Sequence, residues 1–436
     1  MNKQASESRR ILTSLLSAIL LCLAFLFAHK TALAQDSITL SWALKQTLQR
    51  NPALQLYPYT VRMTEGEQQQ ATLRPTPTLN VQIENAFGTG DFNGLSRSET
   101  TLTLGQTIEL GEKRLSRVNY AIANRQNRQA EYELERLALL AETSRRYYGV
   151  LRLQAIDKVY LTQVEQGKKA LSIITSRANA GAVGRADVSK MALRLARSKA
   201  QHQRVSSELK LAKTRLAAMW LAETDFNAVV GDIKQLPSLP NLMMLNDAID
   251  KTPAFLLQQA QQELLRRQLQ LIRANGRSNV SVGVGIRHLA QSDDQALIFD
   301  LSVPLTLENP NKGKIVAANA AFEQSRQQTD LKRAELRLSL IEIQQRLKAS
   351  MGYTDLLSRH LLPQADQFLR DTIKGYQHGR YSVLQWADAQ NERFGLESEL
   401  IEVHHQMYLN LLDLERLTGQ SLTSVIKNST GNFSHE

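Results

Sequence analysis

The chain has 436 residues, 42% hydrophobic and 22% charged, a balance that belongs to a sequence that folds and excludes intrinsic disorder. With 21 Gly and 10 Pro it is neither collagen-like nor low-complexity, and a single Cys excludes disulfide scaffolds and multi-cysteine metal sites. A net charge of +11 permits an anionic partner, whether nucleic acid or a charged surface, without saying where the excess sits.

Residues 1–34 read as an export signal. Lys3, Arg9 and Arg10 precede an apolar run from Ile11 to Ala28, and Ala32-Leu33-Ala34 supplies the small-x-small pattern of signal-peptide cleavage. The mature chain is expected to begin at Gln35, with a charge of +8 and without Cys22, because four basic residues and one acidic residue leave with the signal. Leu21, not a small residue, precedes Cys22, which argues against a lipid anchor there. The alternative is an uncleaved helix, for which ~18 apolar residues is near the lower limit of a span. Later segments have no comparable run, so membrane crossing by the mature chain needs another architecture.

The remainder is a twofold repeat. Asn51-Pro52-Ala53-Leu54 recurs as Thr252-Pro253-Ala254-Phe255, the strand around Leu104 and Ile108 recurs around Leu301 and Leu305, and Gly181 recurs as Gly379. The first repeat spans 35–231 and the second 242–420; 232–241, with Pro237 and Pro240, reads as the linker, and 421–436 as a polar tail.

Each repeat has the same order of elements. In the first, a continuous helix is expected from about Ser41 to Leu73, before Pro75 and Pro77, followed by a β-hairpin over 77–110. Leu79, Val81 and Ile83 alternate with Asn80, Gln82 and Glu84, and Leu102, Leu104 and Ile108 share the second strand with Thr101, Thr103 and Thr107. In the second repeat the hairpin covers 279–305, where Val280, Val282, Val284 and Ile286 alternate with Ser281, Gly283, Gly285 and Arg287. That predicts four strands per chain and helix elsewhere.

Helical hairpins follow over 112–221 and 313–418. Ala130, Leu134, Leu137, Ala141, Ser144, Tyr148, Leu151 and Ala155 keep a four-three spacing, and the stripe resumes after Gly181 to Gly184 from Val188 and Met191 to Leu216 and Met219. The second hairpin turns at Gly379 and resumes from Leu396 to Leu417, while Pro363 should kink its long arm. A helix of about 66 residues is ~100 Å long. Four strands cannot close a barrel, and an open edge in lipid leaves backbone groups unpaired, so closure requires other copies; three chains give about twelve strands.

The signal peptide, the duplicated strand-strand-long-helix unit, and the glycine turns before Asp187-Val188 and within Gly375-Tyr376-Gln377-His378-Gly379 resemble the TolC family of outer-membrane efflux ducts. More narrowly, Glu84-Asn85-Ala86-Phe87-Gly88, Glu99-Thr100-Thr101-Leu102 and the run from Gln106 to Arg114 are similar to the branch tied to cobalt, zinc, cadmium or copper export. The resemblance implies a mainly α protein with a membrane β-barrel: a homotrimer whose 12-stranded β-barrel in outer-membrane lipid joins a 12-helix periplasmic α-barrel. It also implies docking to a periplasmic adaptor and a proton-driven inner-membrane pump of the resistance-nodulation-division type.

For the periplasmic entrance the resemblance implies a gate. Asp187 matches the aspartate after the first turn, Tyr376 the tyrosine before the second, and Asp388 the inner gate aspartate; Gln385 replaces the outer one, and Tyr381 with Arg380 beside it replaces the basic partner. Asp187 reads equally well as a helix N-cap. His202 reads as a packing histidine on the seam, and His404-His405 cannot share a helix face. Neither catalytic residues nor a cofactor, metal or nucleic-acid site is expected, so the duct should be passive. A duct for drugs or protein, and a secreted coiled-coil scaffold, are the alternatives.

Overall fold

The structure is a computed structural model that describes residues 35–234, 249–305 and 308–419. The expected signal peptide, most of the linker and the 421–436 tail lie outside the described residues. In chain order the elements are β1 (Gln35–Ile38), α1 (Leu40–Arg50), α2 (Pro52–Gln55), α3 (Tyr57–Thr72), β2 (Thr78–Glu84), β3 (Glu99–Ile108), α4 (Lys113–Asn179), α5 (Arg185–Ala217) and β4 (Phe226–Val229). The second half continues with α6 (Pro253–Asn275), β5 (Val280–Leu289), β6 (Asp294–Ser302), α7 (Lys312–Leu356), a π turn (Leu357–Leu361), α8 (Leu362–Gln377) and α9 (Val383–Thr418).

The helix before the first strands is broken, where one continuous helix was expected. Asn51 is extended at ψ 125, its side chain accepts from the Ala53 N–H at 3.1 Å, and Pro52 opens the next turn. Proline lacks the N–H that a continuing helix needs and pushes the preceding residue out of helical geometry. Two further strands also differ from the expected four: β1 and β4 pair in parallel, Ser37 opposite Ala228. Around them lies the largest core, in which Trp220, Tyr147, Val150, Ile401 and Leu412 are buried. Tyr147 ties the strand ends together, its hydroxyl donating to the Val230 carbonyl at 2.5 Å and lying 3.1 Å from that of Ile38.

The other four strands form one antiparallel sheet in the order β2-β3-β5-β6, so the β3–β5 pairing joins the repeats. Its register sorts side chains by face, because successive residues of a strand point to opposite sides. Leu79, Leu104, Val284 and Phe299 form one row across all four strands, and Val81, Leu102, Ile286 and Leu297 the next. All eight are exposed, Phe299 by 79%. The opposite face is polar and more covered. There Arg287 donates from Nε to Thr101 at 3.0 Å and from Nη1 to Glu99 at 2.9 Å, with Glu84 at 3.5 Å, while the Thr107 and Ser281 hydroxyls are 3.2 Å apart. Glycine is required at 285, since a Cβ would stand 2.5 Å from the Leu102 carbonyl oxygen.

From the sheet, Gly111 at φ +77 and Glu112 at φ +60 turn the chain into α4, whose 67 residues reach ~100 Å. α5 returns for 33 residues along one end of it and α6 and α3 flank the other, so short pieces laid end to end accompany the long helix. In the second half the long arm is interrupted near the proline: the π turn at Leu357–Leu361 ends two residues before Pro363. The seam residues of α5 and α9 are buried or half-buried along their whole length, Met191, Leu195, Val205, Met407 and Leu414 fully so.

Candidate functional site at the helical tip

Both helical hairpins turn in the same way at the end farthest from the sheet. After α4, Gly181 at φ +73 donates to the Ala178 carbonyl at 3.0 Å and Ala182 to that of Arg177 at 2.9 Å; after α8, Gly379 at φ +72 donates to Tyr376 at 3.1 Å and Arg380 to Gly375 at 2.8 Å. A left-handed residue carrying this pair of bonds satisfies the last carbonyls of a helix, and glycine adopts it without strain. Gly375 has a second duty. A Cβ there would lie 2.1 Å from Cδ2 of Tyr381, so only glycine lets that ring lie against the helix.

The two hairpins are joined at the tip by contacts from several residues. Ala170, Ile174 and Met191 of the first pack with Val383 and Ala387 of the second. Tyr376 stacks on Trp386, centroids 5.5 Å apart, and the Arg177 guanidinium of the opposite hairpin stands 4.4 Å over the Tyr376 ring. Further along, Arg194 of α5 pairs with Asp388 of α9 at 2.7 Å and donates to the Leu384 carbonyl at 3.4 Å. The Gln163 amide donates to Asn391 at 2.9 Å.

Of the residues expected at the entrance, the structure brings Tyr376 and Asp388 into contact with the opposite hairpin and leaves the others apart. Tyr376 acts through its ring. Asp388 is half of an ion pair, with its side chain 58% exposed. Gln385 serves its own helix: its N–H donates to Ser382 Oγ at 3.2 Å and its Oε1 accepts from the Ser382 N–H at 2.8 Å, a complete capping box. Asp187 is not the N-cap; Gly184 occupies that position, and Asp187 sits half-buried in the first turn, where its charge complements the helix dipole. Arg380 closes the turn through its backbone, with its side chain exposed.

Arg177, Arg194 and Trp386 were missed from sequence. Arg194 stands next to the seam residue Leu195, a position where a basic residue ordinarily reads as a solvated flank. His404 and His405 are both set into packed surroundings. Burial lowers the proton affinity of each, and burial with the Arg152 charge brings His405 down to about 4. Among the described residues no group of three or more His, Cys, Asp or Glu is arranged to hold a metal ion.

A chain with two strand pairs, each followed by a helical hairpin, with an exposed apolar sheet at one end and glycine-turned hairpins at the other, has the fold of the TolC-like outer-membrane channels. It resembles the crystal structure of outer membrane protein VceC from Vibrio cholerae, with a TM-score of 0.73 at 17% identity over 88% of this chain and 96% of that one. The open-state MtrE channel of Neisseria gonorrhoeae gives 0.70 at 14% identity over 91% and 94%. Residues 43–220 match the family described as outer membrane efflux protein. In sequence it is 24% identical over 390 residues to the cobalt-zinc-cadmium resistance protein CzcC of Cupriavidus metallidurans, covering 89% of this chain and 91% of that protein.

Proposed function

We propose that this chain is the outer-membrane duct of a tripartite efflux system, a passive homotrimer that carries divalent metal cations from the periplasm or an inner-membrane pump to the exterior. The observation that carries this is the sheet: one face with two exposed apolar rows running across all four strands, the other lined by Arg287, Glu84, Glu99 and hydroxyls. Such a sheet is unsuited to water, and its order leaves β2 and β6 as open edges that a neighbouring copy can pair. Three copies give about twelve strands with lipid outside and water inside. The helical columns then extend ~100 Å into the periplasm to meet an adaptor and a proton-driven pump.

Likeness to CzcC supports divalent cations as cargo. At the entrance, the Arg194–Asp388 pair and the Arg177–Tyr376 contact hold the hairpins together and so keep the mouth narrow. Asp187, Gln385 and Arg380 support the turns beside them. Deleting the gene in its host should lower the tolerated cobalt, zinc or cadmium concentration several-fold, with restoration by the intact gene. Unchanged metal tolerance with lost tolerance to organic toxicants would assign the duct another cargo.

A further inference from the structure

Where the outward apolar band of the sheet meets the helices, the surface becomes basic. The segments 73–78, 109–117, 273–280 and 303–314 together carry eight basic and three acidic residues, a net +5. The segments at the opposite end, 84–99 and 287–294, carry two basic and five acidic ones, a net −3. The excess is not consumed by ion pairs. Glu109 is taken by Arg117, whereas Arg74, Arg114, Lys312 and Lys314 are exposed and enter no ion pair among the described residues. Exposed apolar side chains stand among them, with Leu73, Leu110, Leu115, Leu305 and Val316 each more than 40% exposed.

Position along the strands gives this collar its depth. Arg74 precedes the start of β2 by four residues, about 13 Å of extended chain from the edge of the apolar band, and Arg114 stands in the first turn of α4, just past the turn at Gly111 and Glu112 that follows β3. That distance puts the charged ends in the headgroup layer of a bilayer whose hydrocarbon surrounds the sheet, with apolar neighbours dipping below them. Beside Arg74 a cleft of about 790 Å³ opens between α3, α4 and α6, apolar at Ala71, Leu73 and Leu271; of its charged lining groups Arg117 pairs with Glu109 and Glu67 accepts from Asn124, which leaves the Arg74 guanidinium as the cation without an ion pair among the described residues at its rim. An apolar floor with a guanidinium at its rim is complementary to an amphiphile with an anionic head.

We propose that this collar binds anionic phospholipid in the leaflet nearest the helices, with Arg74, Arg114, Lys312 and Lys314 facing the phosphates and the cleft seating a lipid beside Arg74. The proposal rests on the reading that the sheet spans the outer membrane. Binding fixes how deep the duct sits, and hence how far its tip reaches toward the other membrane.

The test uses the purified full-length assembly and the combined variant R74Q/R114Q/K312Q/K314Q, titrated with mixed micelles of phosphatidylglycerol or phosphatidylcholine and, separately, with inorganic phosphate. Phosphatidylglycerol should bind the wild type and raise its thermal midpoint, and more weakly as salt rises, while the variant keeps its trimer mass and conductance but binds at least about tenfold more weakly. Equal response to the two lipids, undiminished binding by the variant, or the same stabilisation from phosphate alone would overturn the proposal. Dissociation of the variant into single chains would also overturn it, by assigning these cations to contacts between copies. A wild type that forms no conducting trimer would instead sink the duct reading, and the collar with it.

Discussion

Replacing Phe299 by Arg probes the sheet's environment most sharply. Phe299 lies in the row with Leu79, Leu104 and Val284, one residue from each strand, and is 79% exposed in the single chain. In water, removing an exposed aromatic ring would be close to neutral. In lipid, an arginine near the bilayer midplane costs ~2–4 kcal/mol, and three copies raise that to ~6–12 kcal/mol per trimer. This is comparable with the whole stability of an ordinary domain, ~5–15 kcal/mol. Asp300, the next residue, points to the polar face beside Gly283 and supplies the control. Cross-linked trimer in the outer-membrane fraction should fall to less than about a tenth for Phe299→Arg and stay within about twofold for Asp300→Lys. Equal yields of the two variants would refute the assignment of faces.

At the tip, exposed links of the Arg194–Asp388 and Arg177–Tyr376 kind are each worth roughly 0.2–1 kcal/mol. Losing both in three copies should therefore shift the closed-open balance about tenfold or more, and Arg177→Gln with Asp388→Asn should raise conductance in planar bilayers; unchanged conductance would refute the latch. Because Tyr376 acts through its ring on Trp386, Tyr376→Phe should behave as wild type and Tyr376→Ala as partly open. A third prediction concerns acid. Burial and Arg152 bring His405 down to about 4, whereas unfolded histidine titrates near ~6.5, so the unfolded chain takes up its proton first as pH falls. The stability present above pH ~6.5 should be lost progressively toward pH ~4, by up to about 3 kcal/mol per chain, and His405→Gln should flatten that part of a thermal-midpoint profile. An unaltered slope would show that other groups carry the acid sensitivity.

Much of the architecture was legible because it rests on short-range periodicity. The alternation around Leu79, Leu104 and Val284 and the seam from Val188 to Met219 depend only on period 2 and period 3.5, and Gly181 and Gly379 mark turns by their own stereochemistry. The β1–β4 pair was not legible, since each strand has four residues and its partner lies about 190 positions away; what holds them is the core around Trp220 and Tyr147. Pro52 was visible as a repeat marker, but its consequence, a broken helix, was not drawn from it. At the tip, Asp388 could be found by resemblance while Arg194 could not. Their pairing depends on how the α5 and α9 surfaces are rotated toward each other, which no single helix encodes.

The central claim is that chains combine to close the sheet, and the mass of the detergent-solubilised particle tests it most directly. A native mass of three mature chains is the expected result, falling to one chain when the exposed apolar row is charged. A well-behaved water-soluble monomer, with its apolar sheet face free, would contradict the account.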